Sequence, residues 1–231
     1  MNAVIVAGGR GSRLGALTAD RPKPLVEVGG RPVLWHVIQV LRSHGVDRVI
    51  VAAGYRSEQV VDACEHDANV EVVNTGANTG NAARLARVLD RLGDERFYMA
   101  WSDGLTDADL GAMRDRHADH GRLATVLAIH PPARFGRLGL KGDLVTSFVE
   151  KQSIDWFSGG FFVLDARIGR YLSSNSSLSW ERDVTPALVR DGQLAAHRHD
   201  GFWACMDLPH EVDALNELWQ SGRAPWKRWD D

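Results

Sequence analysis

The sequence is poor in cysteine, carries no excess of basic charge and contains no long apolar run. Two cysteines in 231 residues, Cys64 and Cys205, argue against a disulfide framework and are typical of a reducing compartment. A net charge of −3 provides no basic field for nucleic acid or an anionic membrane. No stretch approaches the roughly 20 apolar residues of a membrane span, and residues 1–9 lack the basic start and apolar length of a signal peptide. We therefore expect a cytoplasmic protein whose partners include neither nucleic acid nor a membrane.

The length fits one domain, to which we assign residues 1–231. A chain of this size buries roughly 70% of its unfolded surface, so it needs no disulfide or structural metal to fold. In the first half, short β-branched runs alternate with segments of helical period, which predicts a mostly parallel sheet with helices on both faces. The predicted strands cover 2–7, 47–54, 69–75, 96–104 and 123–129, and the predicted helices cover 31–45, 57–65, 81–92 and 107–119, with Ser57 as an N-cap.

The second half has a different pattern, which predicts a small antiparallel attachment to that sheet. Its predicted elements are a hairpin over 137–151 that turns at Lys141, Gly142 and Asp143, a strand over 156–165, a helix near 183–190, strands near 194–207 and a helix near 209–221. The predicted fold class is therefore α/β, with a single mixed and mostly parallel sheet flanked by helices. Four of the eight tryptophans lie at 203–229 and indicate a packing or subunit-contact surface, so we expect a homo-oligomer.

The first predicted strand runs into a glycine-rich stretch, "AVIVAGGRGSRLG" at 3–15. Gly8 and Gly9 should lie at the carboxyl edge of the sheet, where their backbone N–H groups can approach a phosphate closely. Arg10, Arg13 and Lys23 add positive charge. The third glycine of the dinucleotide fingerprint is missing and no GK[ST] follows, so neither a Rossmann nor a P-loop motif is present. Taken alone, the stretch fits a phosphate-binding loop or a glycine turn with solvated arginines.

Two aspartates follow predicted strands and are candidate metal ligands. Asp103 in "WSDG" comes at the same sheet edge as Gly8, and Asp207 in "FWACMDLP" follows a late strand. Mg²⁺ prefers one or two carboxylates together with phosphate oxygens from a substrate. A turn aspartate and a helix N-cap are the alternative interpretations of the two residues.

Two further features indicate an acceptor site. Glu150 and Lys151 in "FVEK" could bind sugar hydroxyls and a second phosphate, although an exposed ion pair is the alternative. Gly159 and Gly160 interrupt a strand pattern, which suggests a bulge or a ligand close to the backbone.

With these residues in hand, the chain resembles the sugar-1-phosphate nucleotidyltransferases, and among them the glucose-1-phosphate cytidylyltransferases. The resemblance covers almost the full length and is carried by "AGGRGSRL", "RPKP", "GGRPVLWH", "SDG", "PPARFGRL", "FVEK", "GGFFV", "HDGFWACMD" and "LWQSGRAPWK". It implies a Rossmann-like nucleotidyltransferase fold, with a nucleotide-binding half at 1–130 and an acceptor-binding half with the C-terminal helix at 131–231. It also implies Mg²⁺-dependent transfer of a nucleotidyl group from a nucleoside triphosphate to a sugar 1-phosphate, with release of pyrophosphate.

The resemblance implies a role for each matching residue. Arg13, Lys23 and Asp103 would be catalytic, and Asp103 and Asp207 would hold the metal. The nucleotide site would comprise Ala7, Gly8, Gly9, Gly11, Ser12, Arg13, Lys23, Gly80, Asn81 and Ser102. The acceptor site would comprise Arg84, Gly136, Glu150, Lys151, Ser158 and Gly159.

The sequence departs from the cytidylyltransferase pattern at two places that bear on specificity. "GNAAR" at 80–84 replaces M-T-G-G-R and is similar to the G-T-A turn that lies against the base in the wider superfamily. "WFSGG" at 156–160 has Ser158 where the pattern has asparagine, at a sugar contact. CTP is the expected nucleotide, with GTP, dTTP and UTP as alternatives. The acceptor is a sugar 1-phosphate, a cyclitol phosphate, or a smaller phosphate or phosphonate.

Two other classes of function compete with the transferase. A dinucleotide-dependent dehydrogenase would require the missing third glycine. A non-catalytic nucleotide-binding subunit would have lost a metal carboxylate or the lysines, and this chain keeps all four residues: Lys23, Asp103, Lys151 and Asp207.

Overall fold

The computed structural model describes residues 1–93, 95–131, 136–150, 155–173 and 175–229. Their strands, in chain order, are β1 (Asn2–Ala7), β2 (Glu27–Val28), β3 (Arg31–Pro32), β4 (Arg48–Ala53), β5 (Val70–Asn74), β6 (Arg96–Trp101), β7 (Gly104–Thr106), β8 (Ala124–Ile129), β9 (Arg137–Lys141), β10 (Leu144–Val149), β11 (Phe157–Asp165), β12 (Leu194–His199) and β13 (Trp203–Cys205). The α-helices are α1 (Val33–Arg42), α2 (Ser57–Cys64), α3 (Asn81–Val88), α4 (Leu110–His120), α5 (Thr185–Arg190) and α6 (Pro209–Gln220).

Seven of the strands form one sheet in the order β12-β8-β11-β6-β1-β4-β5. The β6, β1, β4 and β5 neighbours are parallel, as are β8 and β12, whereas β11 runs antiparallel to both β6 and β8. The predicted mixed and mostly parallel sheet is confirmed. Because β11 is reversed, its amino-terminal end lies at the same edge as the carboxyl ends of its parallel neighbours, and this shared edge positions the candidate site.

Successive apolar side chains of β1 face two separate hydrophobic cores, one on each side of the sheet. Ala3 and Ile5 face a core made with α1, α2, α4 and α6. Val4 and Val6 face a second core made with α3 and α5. Successive side chains of a strand point to opposite faces, so a run that is apolar at every position predicts cover on both sides. Helices on both faces of the sheet are thereby confirmed.

The smaller sheets carry the antiparallel attachment. β9 and β10 form a hairpin that turns at Gly142 and Asp143, as predicted. β7 pairs antiparallel with β13, and β2 pairs with β3. Within the described ranges, every helix is too short or too polar to cross a membrane.

Four local predictions need correction. Ser57 is the first buried residue of α2, and the N-cap position is held by Arg56 in the left-handed conformation with φ 51°. The strand predicted over 96–104 is two strands, because the chain turns at Ser102 and Asp103. The helix predicted over 81–92 ends at Val88 and continues as a 3-10 turn, and the helix near 183–190 begins with a π turn at Trp180–Val184.

Candidate active site

A cleft of about 890 Å³ opens at the carboxyl edge of the large sheet. The residues that line it come from both halves of the chain, so the site is a product of the tertiary fold. The sequence-predicted residues that it brings together are Gly8, Gly9, Gly11, Ser12, Arg13, Lys23, Gly80, Asn81, Arg84, Ser102, Asp103, Ser158, Gly159 and Asp207.

The cleft does not include every predicted residue. Ala7 is buried at the end of β1, below the cleft lining. Gly136 and Glu150 are close to each other at the base of the β9–β10 hairpin, and neither lines the cleft as described. Lys151 lies outside the described residues. The predicted roles of these four residues stay predictions.

The pairing of β7 with β13 brings the two predicted metal aspartates together. Asp103 immediately precedes β7, and Asp207 lies two residues after the end of β13. The register places Cys205 opposite Gly104, and the Met206 N–H donates to the Asp103 carbonyl at 3.0 Å. Two carboxylates that are 104 positions apart in the sequence therefore meet at one point of the cleft.

Lys23 joins these two carboxylates. Its ammonium contacts Asp103 Oδ2 and lies 2.5 Å from Asp207 Oδ1, while Arg13 Nη1 is 3.0 Å from Asp207 Oδ2. Burial disfavours the charged form of Lys23, but the two carboxylates outweigh it and raise the pKa of the lysine above its ordinary value. Lys23 therefore stays cationic at neutral pH. We call Arg13, Lys23, Asp103 and Asp207 the charged end of the cleft.

The chemistry of the charged end fits Mg²⁺. One oxygen of Asp103 and one of Asp207 converge on the single nitrogen of Lys23, so they can converge on a metal cation as well. No group of three or more His, Cys, Asp or Glu side chains suited to a metal occurs among the described residues. Two carboxylates suffice for Mg²⁺ when phosphate oxygens of a substrate complete the coordination. Asp103 and Asp207 would then release Lys23 toward the substrate.

Residues 8–12, which we call the glycine loop, pack against the stem of Lys23 through Gly11. Gly11 has φ +70°, and a Cβ at that position would lie 2.7 Å from Cβ of Lys23. The Thr18 hydroxyl donates to the Gly11 carbonyl at 3.1 Å and fixes the turn. Gly9 has open space around its Cα, which leaves its backbone accessible from the cleft. Gly11 thus allows close packing against Lys23, and Gly9 leaves the backbone accessible to a ligand in the cleft.

Segment 175–182 covers the opposite end of the cleft, and sequence reasoning missed it. The Gly80 N–H donates to the Ser176 carbonyl at 2.7 Å. The Asn81 side-chain amide donates to the Glu181 carboxylate at 2.8 and 3.1 Å and accepts from the Trp180 N–H at 2.7 Å. We call Gly80, Asn81 and segment 175–182 the loop end of the cleft.

The sequence offers little signal for this contact. Glu181 follows the serine-rich run "SSNSSLSW", which has neither helical nor strand periodicity and so predicts only a loop. Its partner Asn81 is 100 positions away in the chain. The Asn81–Glu181 pair can be identified only from the structure, in which segment 175–182 lies against the start of α3.

Arg84, a predicted acceptor residue, is 3% exposed at the floor of the cleft. Its hydrogen bonds run to protein oxygens: those of Gly8, Ala53, Thr75, Gly76 and Ala77. Its predicted contact with an acceptor stays a prediction.

Cys205 also lines the cleft, close to the charged end. Burial, together with the negative charge of Glu211, Asp207 and Asp103, raises the pKa of its thiol to about 12. A thiolate is the nucleophilic form of cysteine, so at neutral pH this side chain is a poor nucleophile.

Comparison with known proteins identifies relatives over the full length of the chain. Residues 2–229 match the family model described as nucleotidyl transferase. The chain is 37% identical over 258 residues to the glucose-1-phosphate cytidylyltransferase of Salmonella typhimurium, with 100% of both chains covered. It is 32% identical over 254 residues to the probable glucose-1-phosphate cytidylyltransferase of Bacillus subtilis, covering 99% of this chain and all of that one. A mannose-1-phosphate guanyltransferase of Schizosaccharomyces pombe is 32% identical over 93% of this chain and 62% of its own length.

Solved structures share the fold. HddC from Yersinia pseudotuberculosis superposes with a TM-score of 0.77 at 22% identity, covering 94% of this chain and 99% of that one. A putative glucose-1-phosphate thymidylyltransferase from Bacillus anthracis also gives 0.77, at 20% identity, covering 100% of this chain and 98% of that one.

Proposed function

Because this chain belongs to the nucleotidyl transferase family, we propose that it transfers CMP from CTP to a sugar 1-phosphate and releases pyrophosphate, giving an NDP-sugar. The observation that carries the proposal is the convergence of Lys23, Asp103 and Asp207 beside the glycine loop. The names of two full-length relatives support CTP as the nucleotide and glucose 1-phosphate as the acceptor. A guanyltransferase among the relatives keeps GTP as an alternative.

The physical difficulty of this reaction is electrostatic. A phosphate oxygen of the acceptor must form a bond to the α-phosphorus while the bond from that phosphorus to the bridging oxygen of the β-phosphate breaks. Two unit charges 4 Å apart repel by about 1 kcal/mol in water and several times more near a protein. Lys23 and Arg13 would offset this repulsion and orient the triphosphate. Mg²⁺ held by Asp103 and Asp207 would supply further positive charge.

The nucleophile in this reaction is already an anionic oxygen, so the protein needs no general base. Catalysis is positioning together with charge stabilisation.

We further propose that the acceptor lies toward Ser158 and Gly159, at the amino-terminal end of β11. The hairpin exposes Leu138, Leu140 and Phe148, each more than half exposed, and this surface supports a homo-oligomer. The two free cysteines support residence in the cytoplasm.

A substrate matrix tests the proposal. The purified protein is incubated with Mg²⁺, each of CTP, GTP, dTTP and UTP, and a panel of sugar, cyclitol and small phosphates or phosphonates, and pyrophosphate release is measured. We expect the highest rate with CTP and a sugar 1-phosphate, and no release after chelation with EDTA. Nucleotide binding without release from any pair would favour a non-catalytic subunit. Thermal protection by a dinucleotide but not by CTP with Mg²⁺ would favour a dehydrogenase.

A further inference from the structure

Arg84 occupies an unusual place for a charged residue. It lies in the first turn of α3, and its side chain points to where β1, β4 and β5 end beside one another in the sheet. With 3% of its surface exposed, its guanidinium is almost fully removed from water. Burying a charge is costly unless hydrogen bonds compensate it, so the position calls for a specific role.

The guanidinium connects the loops that follow three neighbouring strands. Nη2 donates to the Gly8 carbonyl at 3.2 Å, after β1, and to the Ala77 carbonyl at 3.3 Å. Nη1 donates to the Ala53 carbonyl at 3.1 Å, to Thr75 Oγ1 at 2.7 Å and to the Gly76 carbonyl at 2.8 Å. These five acceptors are uncharged, so oriented backbone and hydroxyl dipoles compensate the charge. The planar fork of arginine suits such a set, whereas the ammonium of lysine does not.

Two glycines make room for this guanidinium. A Cβ at Gly8 would overlap Cζ of Arg84, and a Cβ at Gly54 would overlap Nη1. Gly8 lines the cleft, whereas Gly54 does not. The glycine at position 8 therefore serves the packing of Arg84 as well as access to a ligand.

We infer that Arg84 is a positioning residue for the nucleotide: it holds the glycine loop at Gly8 and the loop at Gly76 and Ala77 in one arrangement. The inference rests on the proposed function, since it names how the nucleotide side of that site is preorganised. Arg84 acts through the backbone of both loops. Because its described hydrogen bonds run to protein oxygens, we assign it no contact with the acceptor. Displacement of the guanidinium should therefore disorder both loops together.

The test compares Arg84→Met with Gly54→Ala, which crowds the guanidinium without changing a cleft residue. Arg91→Met is the matched control. Arg91 lies in the 3-10 turn that follows α3, is exposed, donates to the Glu71 carboxylate at 2.5 Å, and does not line the cleft. Thermal unfolding first establishes that each variant is folded, and Gly54→Ala carries the test if Arg84→Met does not fold.

The first measurement needs no ligand. Hydrogen exchange followed by mass spectrometry should show faster exchange at 8–12 and at 76–80 in Arg84→Met and in Gly54→Ala, and wild-type exchange at both loops in Arg91→Met. Unchanged exchange at either loop would overturn the inference whether or not the protein is a transferase.

The second measurement is the binding of CMP, CDP and CTP by titration calorimetry, with KM for the acceptor measured separately. We expect Arg84→Met to weaken the binding of all three nucleotides, by about 10- to 100-fold, because the loops that Arg84 holds line the nucleotide side of the cleft. The acceptor KM should stay within about threefold. A raised acceptor KM with unchanged nucleotide affinity would indicate the acceptor contact, and wild-type affinity for all three nucleotides would mean that Arg84 does not position the nucleotide; either result overturns the inference. Failure of the wild type to bind any of the three nucleotides refutes the proposed function, and the exchange experiment then decides the role of Arg84 alone.

Discussion

At the charged end of the cleft, four ionised side chains contact one another, whereas at the loop end a side-chain amide ties two segments of backbone together. Lys23 contacts two carboxylates at the charged end, and a ligand or a metal can exchange with each of those contacts. At the loop end, Asn81 uses both atoms of its amide on Glu181 and on the Trp180 N–H. Under the proposed function, the charged end would carry the chemistry, while the loop end would set the shape into which a nucleotide fits.

The two ends also differ in how far their contacts are exposed to solvent. At the charged end, the Lys23 side chain is only 12% exposed, so its contacts with Asp103 and Asp207 are largely shielded from water. At the loop end, the hydrogen bonds between Asn81 and Glu181 are exposed to solvent, so each contributes modestly, and they involve none of the four charged side chains. Variants at the two ends should therefore change different kinetic parameters.

The largest effect is expected for Asp103→Asn at the charged end. The amide keeps the shape of the side chain but removes the charge that contacts Lys23 and would hold the metal. We expect turnover to fall by about 10³-fold or more with the fold intact, measured by pyrophosphate release and circular dichroism. Asp62→Asn on the exposed face of α2 is the control and should retain activity. Turnover of Asp103→Asn close to wild type would remove the metal assignment.

The next effect is expected for Lys23→Ala. Turnover should fall by about 10²-fold or more because a cation that orients the triphosphate is lost. Without nucleotide, however, Mn²⁺ should bind more tightly than to wild type, since the ammonium no longer lies between Asp103 and Asp207. Calorimetric titration of Mn²⁺ into both proteins measures this. Equal metal affinity would show that Lys23 and the metal do not share the two carboxylates.

A smaller effect is expected for Asn81→Ala at the loop end. Loss of the bonds to Glu181 and Trp180 should lower the free energy of unfolding by about 0.5–1.5 kcal/mol, because the Glu181 bonds are exposed to solvent. KM for the nucleoside triphosphate should rise by about 5- to 20-fold while kcat stays within about threefold, because the loop is displaced but the charged end is untouched. Glu181→Ala and the double variant complete a cycle in which the two changes should be strongly non-additive. Additive effects would mean that the Asn81–Glu181 contact does not hold the loop.

The smallest effect is expected for Cys205→Ser, which should keep kcat within about twofold because the thiol takes no part in transfer. In wild type, burial and nearby carboxylates raise the pKa of this thiol to about 12, so the thiol stays protonated at pH 7–9 and reacts only as the pH rises toward that value. The rate of iodoacetamide labelling at Cys205, followed by mass spectrometry from pH 7 to 11, should therefore increase steadily without a plateau near the pKa of an ordinary cysteine. A plateau near pH 8.5 would contradict the shift.

Much of the fold follows from local pattern. The strand over 2–7 was predicted with the bounds that β1 has, since an apolar run before glycines has few other interpretations. The hairpin turn at Gly142 and Asp143 follows from turn chemistry. Prediction failed where tertiary contacts override local preference: Arg56, held by its bonds to the Ala19 and Asp20 carbonyls, takes the cap position expected for Ser57.

For the site, the sequence alone determined the kinds of chemistry, because glycines after a strand and charged residues at strand ends are local signals. Lys23, Asp103 and Asp207 could be named from their neighbours in the chain. The tertiary structure decided which residues share a contact, since the register of β7 with β13 joins the two aspartates. It also decided the place of Arg84 beneath Gly8 and the closure of the loop end by Glu181. The physical reason is that a hydrogen bond depends on distance in space, which the separation of two residues along the chain does not specify.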